Sequence, residues 1–128
     1  MRLLIVCALL LLAACDGGGT GAAPAGGEFI AALKSPHGPE GAVLLEVAGE
    51  GLTFVGTSSA TLFKQPVSGG WRVMLVREPA GVIEFRVHVA PGNELPSVRV
   101  LQVAGADDRV RPSTDGYSVA FTPARGDE

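Results

Sequence analysis

The chain has 128 residues, 47% of them hydrophobic and 18% charged, with ten basic and thirteen acidic side chains for a net charge of −3. This is enough for a single domain with a modest core. The mild acidity and the lack of a basic stripe exclude nucleic acid as a partner, since neutralising phosphates takes clustered Lys and Arg.

The first element stands apart from the fold. Met1-Arg2 precedes an unbroken apolar run from Leu3 to Ala14. A positive start, a short apolar core and small residues before a cleavage point predict a secretory signal peptide over 1–14. Twelve apolar residues are too few to cross a bilayer, which takes roughly 20. The run closes on Leu12-Ala13-Ala14-Cys15. That ending resembles the lipobox of a bacterial lipoprotein signal.

The resemblance implies that the Cys15 sulfur receives a diacylglycerol and that Cys15, once 1–14 is cut away, becomes an acylated, palmitate-bearing first residue. It implies a bacterial envelope protein, periplasmic or surface-exposed, partnered with the membrane through lipid on Cys15. Acyl chains contribute about 0.8 kcal/mol per buried methylene, so two or three chains anchor stably. The competing reading is an ordinary secretion signal with Cys15 present by chance.

Cys7 lies inside the signal core and leaves with it. With Cys15 modified, the mature chain has no free thiol and no disulfide, although an exported compartment permits them. The fold is expected to hold by its hydrophobic core alone. Loss of Arg2 also leaves nine basic against thirteen acidic side chains, a net charge of −4.

Residues 15–27 join the cysteine to a Gly/Ala-rich stretch with nothing to bury, which reads as a flexible tether. The folded domain is expected over 28–123. Phe29 to Leu33 reads as a first strand or a short helical turn. Val43, Leu45 and Val47 share one side of 42–48. Leu52 to Val55, Ala60 to Lys64 and Trp71 to Arg77 follow as short strands. Val82 to Val89 has the clearest period of two, with Ile83, Phe85, Val87 and Val89 on one face and Glu84, Arg86 and His88 on the other.

In 97–103, Val98 and Val100 share a parity that Leu101 and Val103 break. A bulge near Leu101 reconciles them, and a strand buried on both faces is the alternative. Tyr117 to Phe121 closes the set. Gly/Pro-rich punctuation separates the segments, including Ser35 to Gly41 and Ser68-Gly69-Gly70. Seven to nine short strands at this spacing predict an all-β, antiparallel sandwich. Residues 124–128 read as a polar tail. Its Arg125-Gly126-Asp127 matches the integrin tripeptide, but three residues in a charged terminus carry little information.

The segments 41–47, 83–87, 98–104 and 115–119 together look like a cohesin-type or immunoglobulin-like module, a resemblance of pattern over 41–121 without a diagnostic motif. In cohesins one sheet face binds a dockerin. That face does not map residue by residue onto this chain.

Candidate chemistry is sparse. His37 lies in a Pro/Gly loop and His88 on the outward face of a strand, not at the spacing of a zinc site. Asp107, Asp108 and Asp115 are acidic candidates for calcium, but Arg109 and Arg111 interrupt them and turn-forming roles compete. No serine sits in a nucleophile-elbow pattern, and no glycine-rich phosphate loop carries a lysine. The expectation is therefore no catalytic residue, no bound metal and no cofactor.

Two functions remain in view. One is a non-catalytic module, displayed on a lipid tether as a structural element or for a protein partner in the envelope, with Glu84, Arg86 and His88 as a candidate interaction face. The alternative is a ligand-binding lipoprotein that captures a carbohydrate or a metal ion. The single Trp71 and single Tyr117 discriminate. A sugar site needs them displayed, whereas parity with Val73 and Val119 predicts packing roles.

Overall fold

The computed structural model describes residues 26–57 and 59–124. The signal segment 1–14, Cys15, most of the 15–27 tether and the Arg125-Gly126-Asp127 tripeptide lie outside the described residues.

Eight strands follow in chain order: β1 (Gly27–Lys34), β2 (Glu40–Ala48), β3 (Leu52–Gly56), β4 (Thr61–Val67), β5 (Gly70–Gly81), β6 (Glu84–Val89), β7 (Ser97–Gly105) and β8 (Ser118–Pro123). They form two four-stranded sheets, ordered β3-β6-β1-β8 and β4-β5-β2-β7, with every pairing antiparallel. This is the all-β sandwich that the alternation predicts. The ambiguous first segment is a strand. Ala31 and Leu33 point inward from β1, where Ala31 lies opposite Phe85 of β6 and Phe121 of β8.

The core follows from the period of two. Val43, Leu45 and Val47 from β2 meet Val73 and Leu75 from β5, and across the sandwich stand Phe85, Val87 and Val89 from β6. Ile83 is buried just ahead of β6. Each strand buries one face and wets the other, which fixes its register, because a one-residue slip would exchange the two faces.

In β7 the parity break is a bulge. Leu44 pairs with Gln102 and Leu45 with Val100, so Leu101 is the extra residue. The insertion lets Val100 and Val103 both face the core partners Leu45 and Val43. Beyond β7 the chain doubles back, and Val110 forms an isolated bridge to Ala104.

The β4–β5 hairpin turns through Ser68-Gly69, with Gly69 at φ 81°, where only glycine is unstrained. Gly70 is required for a different reason. A Cβ there would stand 2.1 Å from the Val47 carbonyl oxygen. The strands can pair this closely only without a side chain.

The described residues contain no cysteine. A soluble fragment of residues 28–128 is accordingly expected to melt at the same temperature with and without reductant, with a β-type circular dichroism spectrum. A reductant-dependent melting temperature would show a covalent cross-link that this sandwich does not need.

Candidate functional site

Three side-chain constellations stand out. The first is the face anticipated from β6. Glu84, Arg86 and His88 do project outward from sheet β3-β6-β1-β8. The neighbouring strand adds a carboxylate that alternation could not supply: Glu28 of β1 lies opposite His88, and its Oε1 is 3.9 Å from Arg86 Nη1. This is a solvated ion pair of the kind that contributes at most about 1 kcal/mol. Its acids and bases are interleaved along the strand pair.

The second constellation is aromatic. Trp71 is half-buried against the core, and its ring meets Phe54 of the opposite sheet edge-on, 5.7 Å between centroids at 81°. The Lys64 ammonium caps both rings, 5.1 Å from the Trp71 centroid and 5.4 Å from that of Phe54. Lys64 pairs with Val73 and so has an inward parity. Its aliphatic stem closes the gap between the sheets while the ammonium reaches the ring faces. Trp71 is thus a packing residue at the sandwich rim.

The third was not legible in the sequence. Glu40, expected in a turn, opens β2 and is 1% exposed. Its carboxylate accepts four hydrogen bonds. Arg111 Nη2 donates to Oε1 at 3.0 Å and Arg111 Nε to Oε2 at 3.3 Å. The Tyr117 hydroxyl donates to Oε1 at 3.1 Å and the Ser35 hydroxyl at 3.0 Å. The Ser35 hydroxyl oxygen in turn accepts from the His37 backbone N–H at 3.0 Å. The His37 ring leans on that of Tyr117, 5.8 Å away between centroids.

One buried anion therefore gathers the β1–β2 loop, the start of β2 and the long β7–β8 connection. A buried carboxylate without partners would be costly, and the two-point guanidinium contact with two hydroxyls compensates it. Burial raises the Tyr117 phenol above its ordinary value, with the hydrogen bond and charge of Glu40 adding to the rise and the Ser35 hydroxyl opposing it. Hydrogen bonding to Glu40 raises the already high Arg111 value further. The group is saturated internally, so its chemistry is that of a clamp holding three segments.

The acidic candidates fall on turns. Asp107 Oδ1 accepts the Arg109 backbone N–H at 3.1 Å, and Asp108 adopts φ 62°, the left-handed turn conformation that Asp tolerates. The Asp115 backbone N–H donates to the Ser113 hydroxyl at 3.0 Å. Among the described residues no three His, Cys, Asp or Glu side chains converge on a point that could hold a metal ion. His37 and His88 stand apart, one in the β1–β2 loop and one on β6.

Set beside known proteins, the chain matches no family model, no curated protein and no solved structure.

Proposed function

We propose that this chain is a lipid-anchored bacterial envelope lipoprotein displaying a small, non-catalytic sandwich of immunoglobulin-like or cohesin-like kind as an interaction or structural module. The observation that carries the reading is Leu12-Ala13-Ala14-Cys15 at the end of an apolar run of signal length. The Gly/Ala-rich stretch after it is a spacer of suitable composition. A domain whose strands cohere through a thiol-free apolar core suits display outside the cytoplasm.

The aromatic residues favour a module over a carbohydrate receptor. Tyr117 is buried, and Trp71 is packed against the core and capped by Lys64. Neither offers the open flat ring on which a sugar stacks. The buried Glu40 cluster is spent on holding loops together, and His88 stands on a solvated face between Glu28 of β1 and Thr53 of β3.

Mass spectrometry of the mature protein recovered from membranes tests the anchor. The expected N-terminus is Cys15 bearing a diacylglycerol mass. Cys15→Ala is expected to abolish that mass and to release or stall the protein. A mature form that starts elsewhere without an acyl mass would overturn the reading.

A further inference from the structure

The register puts both ends of the described chain at one pole of the sandwich. Gly27 of β1 lies opposite Val89 at the end of β6, and Phe29 opposite Pro123 at the end of β8. Ala124 donates its N–H to the Glu28 carbonyl at 2.9 Å. Gly26 is wedged against the end of β6: it adopts φ 71°, and a Cβ there would stand 2.6 Å from the Val89 carbonyl oxygen. The segment leading back to Cys15 therefore leaves the domain at this pole. The same pole carries the turns 49–51 and 68–69 and the 90–96 connection.

The opposite pole is built differently. It carries the 35–39, 57–60 and 82–83 connections and the twelve residues 106–117 between β7 and β8. Two charged side chains tie these four loops. Glu40 joins the first and the last through Ser35, Arg111 and Tyr117. Arg77 joins the other two, donating to the Ser59 hydroxyl at 2.9 Å and to the Val82 carbonyl. The Thr57 hydroxyl also donates to the Glu84 carbonyl at 2.8 Å. Loops on a rigid scaffold are where binding residues concentrate, and loops ordered in advance lose less freedom when they bind. Val82 and Val110, 62% and 60% exposed, stand on two of them.

The length of the tether decides which pole meets a membrane. Ten residues lie between Cys15 and Gly26. A Gly/Ala-rich chain of that length spans about 18 Å on average and about 38 Å when fully drawn out. β2, nine residues long, covers about 27 Å between the poles before any loop is added. To set the loop pole on the membrane, the tether would have to run back along the whole domain, close to full extension. The loss of chain freedom opposes that arrangement. Anchoring at Cys15 thus keeps the turn pole toward lipid and the loop pole outward.

We propose that the loop pole is the binding surface of this domain, held away from the bilayer by the tether, and that its partner is a protein outside that bilayer. The chemistry of the pole selects a protein. A stacked sugar would need an open ring, and Tyr117 here is buried. A metal ion would need converging ligands, which the described residues do not offer. What the pole presents is exposed valine among polar loop atoms, the mixture found at protein interfaces. Val82 also borders a depression of about 350 Å³, lined in part by Leu33, Pro39 and Ile83, that would seat an apolar side chain of the partner. The inference rests on the lipid anchoring proposed above for the direction of display, not for the loop surface itself.

The photo-crosslinking residue p-benzoylphenylalanine, placed at Val82 or at Val110 of the full chain in its native envelope, tests the surface. Both probes are expected to capture the same protein and no lipid, because loops tied into one pole meet one partner. The same probe at Leu95, in the 90–96 connection and 47% exposed, should reach lipid instead. With the probe at Val82, Val110→Asp is expected to lower the adduct several-fold by charging a second point of the same contact. Different proteins at the two positions, lipid adducts at Val82, no protein adduct, or indifference to Val110→Asp would each overturn the proposal.

The direction of display has its own measurement. Cys15 is the sole cysteine once 1–14 is removed, so the mature chain can be coupled through it to maleimide-lipid vesicles that carry dansyl headgroups. Trp71, the single tryptophan, opens β5 at the turn pole. Energy transfer from Trp71 is expected to exceed several-fold the transfer from a chain carrying Trp71→Phe and Val82→Trp. Equal or reversed transfer would overturn the display geometry. The acyl mass on Cys15, read from the native envelope, separates this inference from the anchor. Matching adducts at Val82 and Val110 with unmodified Cys15 retain the surface and overturn the anchor, whereas acylated Cys15 without those adducts does the reverse.

Discussion

Phe85→Ala is expected to destabilise the domain by about 3–5 kcal/mol, the range for removing a buried phenylalanine with partial collapse of the cavity. Phe85 is 2% exposed and lies in an inner strand opposite Ala31. Its ring packs 6.1 Å from that of Phe54, which itself bears on Trp71 of the other sheet. The deletion therefore weakens the link between sheets as well as emptying a site. For a domain of about 100 residues each kcal/mol moves the melting temperature by roughly 4–8 °C, so the loss is readable by thermal denaturation. Arg86→Ala, one residue along on the wet face, should stay within about 0.5 kcal/mol. Small and equal effects at both positions would mean that the register of β6 is wrong.

Removal of the buried anion should be as damaging. Glu40→Ala is expected to cost about 3–5 kcal/mol, the usual penalty for breaking a buried charge pair from one side. It deprives Arg111, Tyr117 and Ser35 of their shared acceptor at once. Tyr117→Phe removes a single hydrogen bond to a charged group and is expected to cost about 1.5–3 kcal/mol.

The phenol also predicts a pH dependence. Its pKa is raised above 10.0 in the fold, chiefly by burial. The native state thus holds the proton where the unfolded chain releases it, so stability declines as pH rises. The contribution is fully present below pH 10 and is lost as pH climbs through the folded-state value. Tyr117 is the only tyrosine, so phenolate absorbance reports on it alone. Native protein should ionise at higher pH than protein in denaturant, and Tyr117→Phe should flatten the alkaline fall in melting temperature. Coincident titration curves in the two states would show that the hydroxyl is solvated and not held by Glu40.

The sandwich was legible because its determinants are local. Ile83, Phe85, Val87 and Val89 announce their face within seven residues, and the parity break between Val100 and Val103 announces the bulge at Leu101. Glu40 announces nothing. It stands in a stretch of Pro and Gly that reads as a turn, and its partners Arg111 and Tyr117 are 71 and 77 positions away. A carboxylate reveals its burial only through what surrounds it, and here that is assembled by topology. Lys64 is similar: alternation gives its parity, but its two aromatic partners come from different sheets. The outer face of β4-β5-β2-β7 was half visible. Each of Leu44, Phe63 and Met74 looks like a minor exception in its own strand, and only the cross-strand register makes them a row.

The four outermost strands determine whether such domains can add to one another edge to edge. An open sandwich exposes unpaired backbone groups at each sheet margin, and these can recruit further strands into open-ended aggregates. Each margin here is guarded. β3 is only five residues long and shifts register between Phe54 and Gly56. β4 carries Lys64 and Pro66, and a proline offers no N–H to an incoming strand. β7 bears its inserted Leu101 and has its last turn occupied by Val110, and β8 runs six residues before ending in Pro123. Strand addition is hindered at each of these margins, so the domain resists edge-to-edge growth into fibrils.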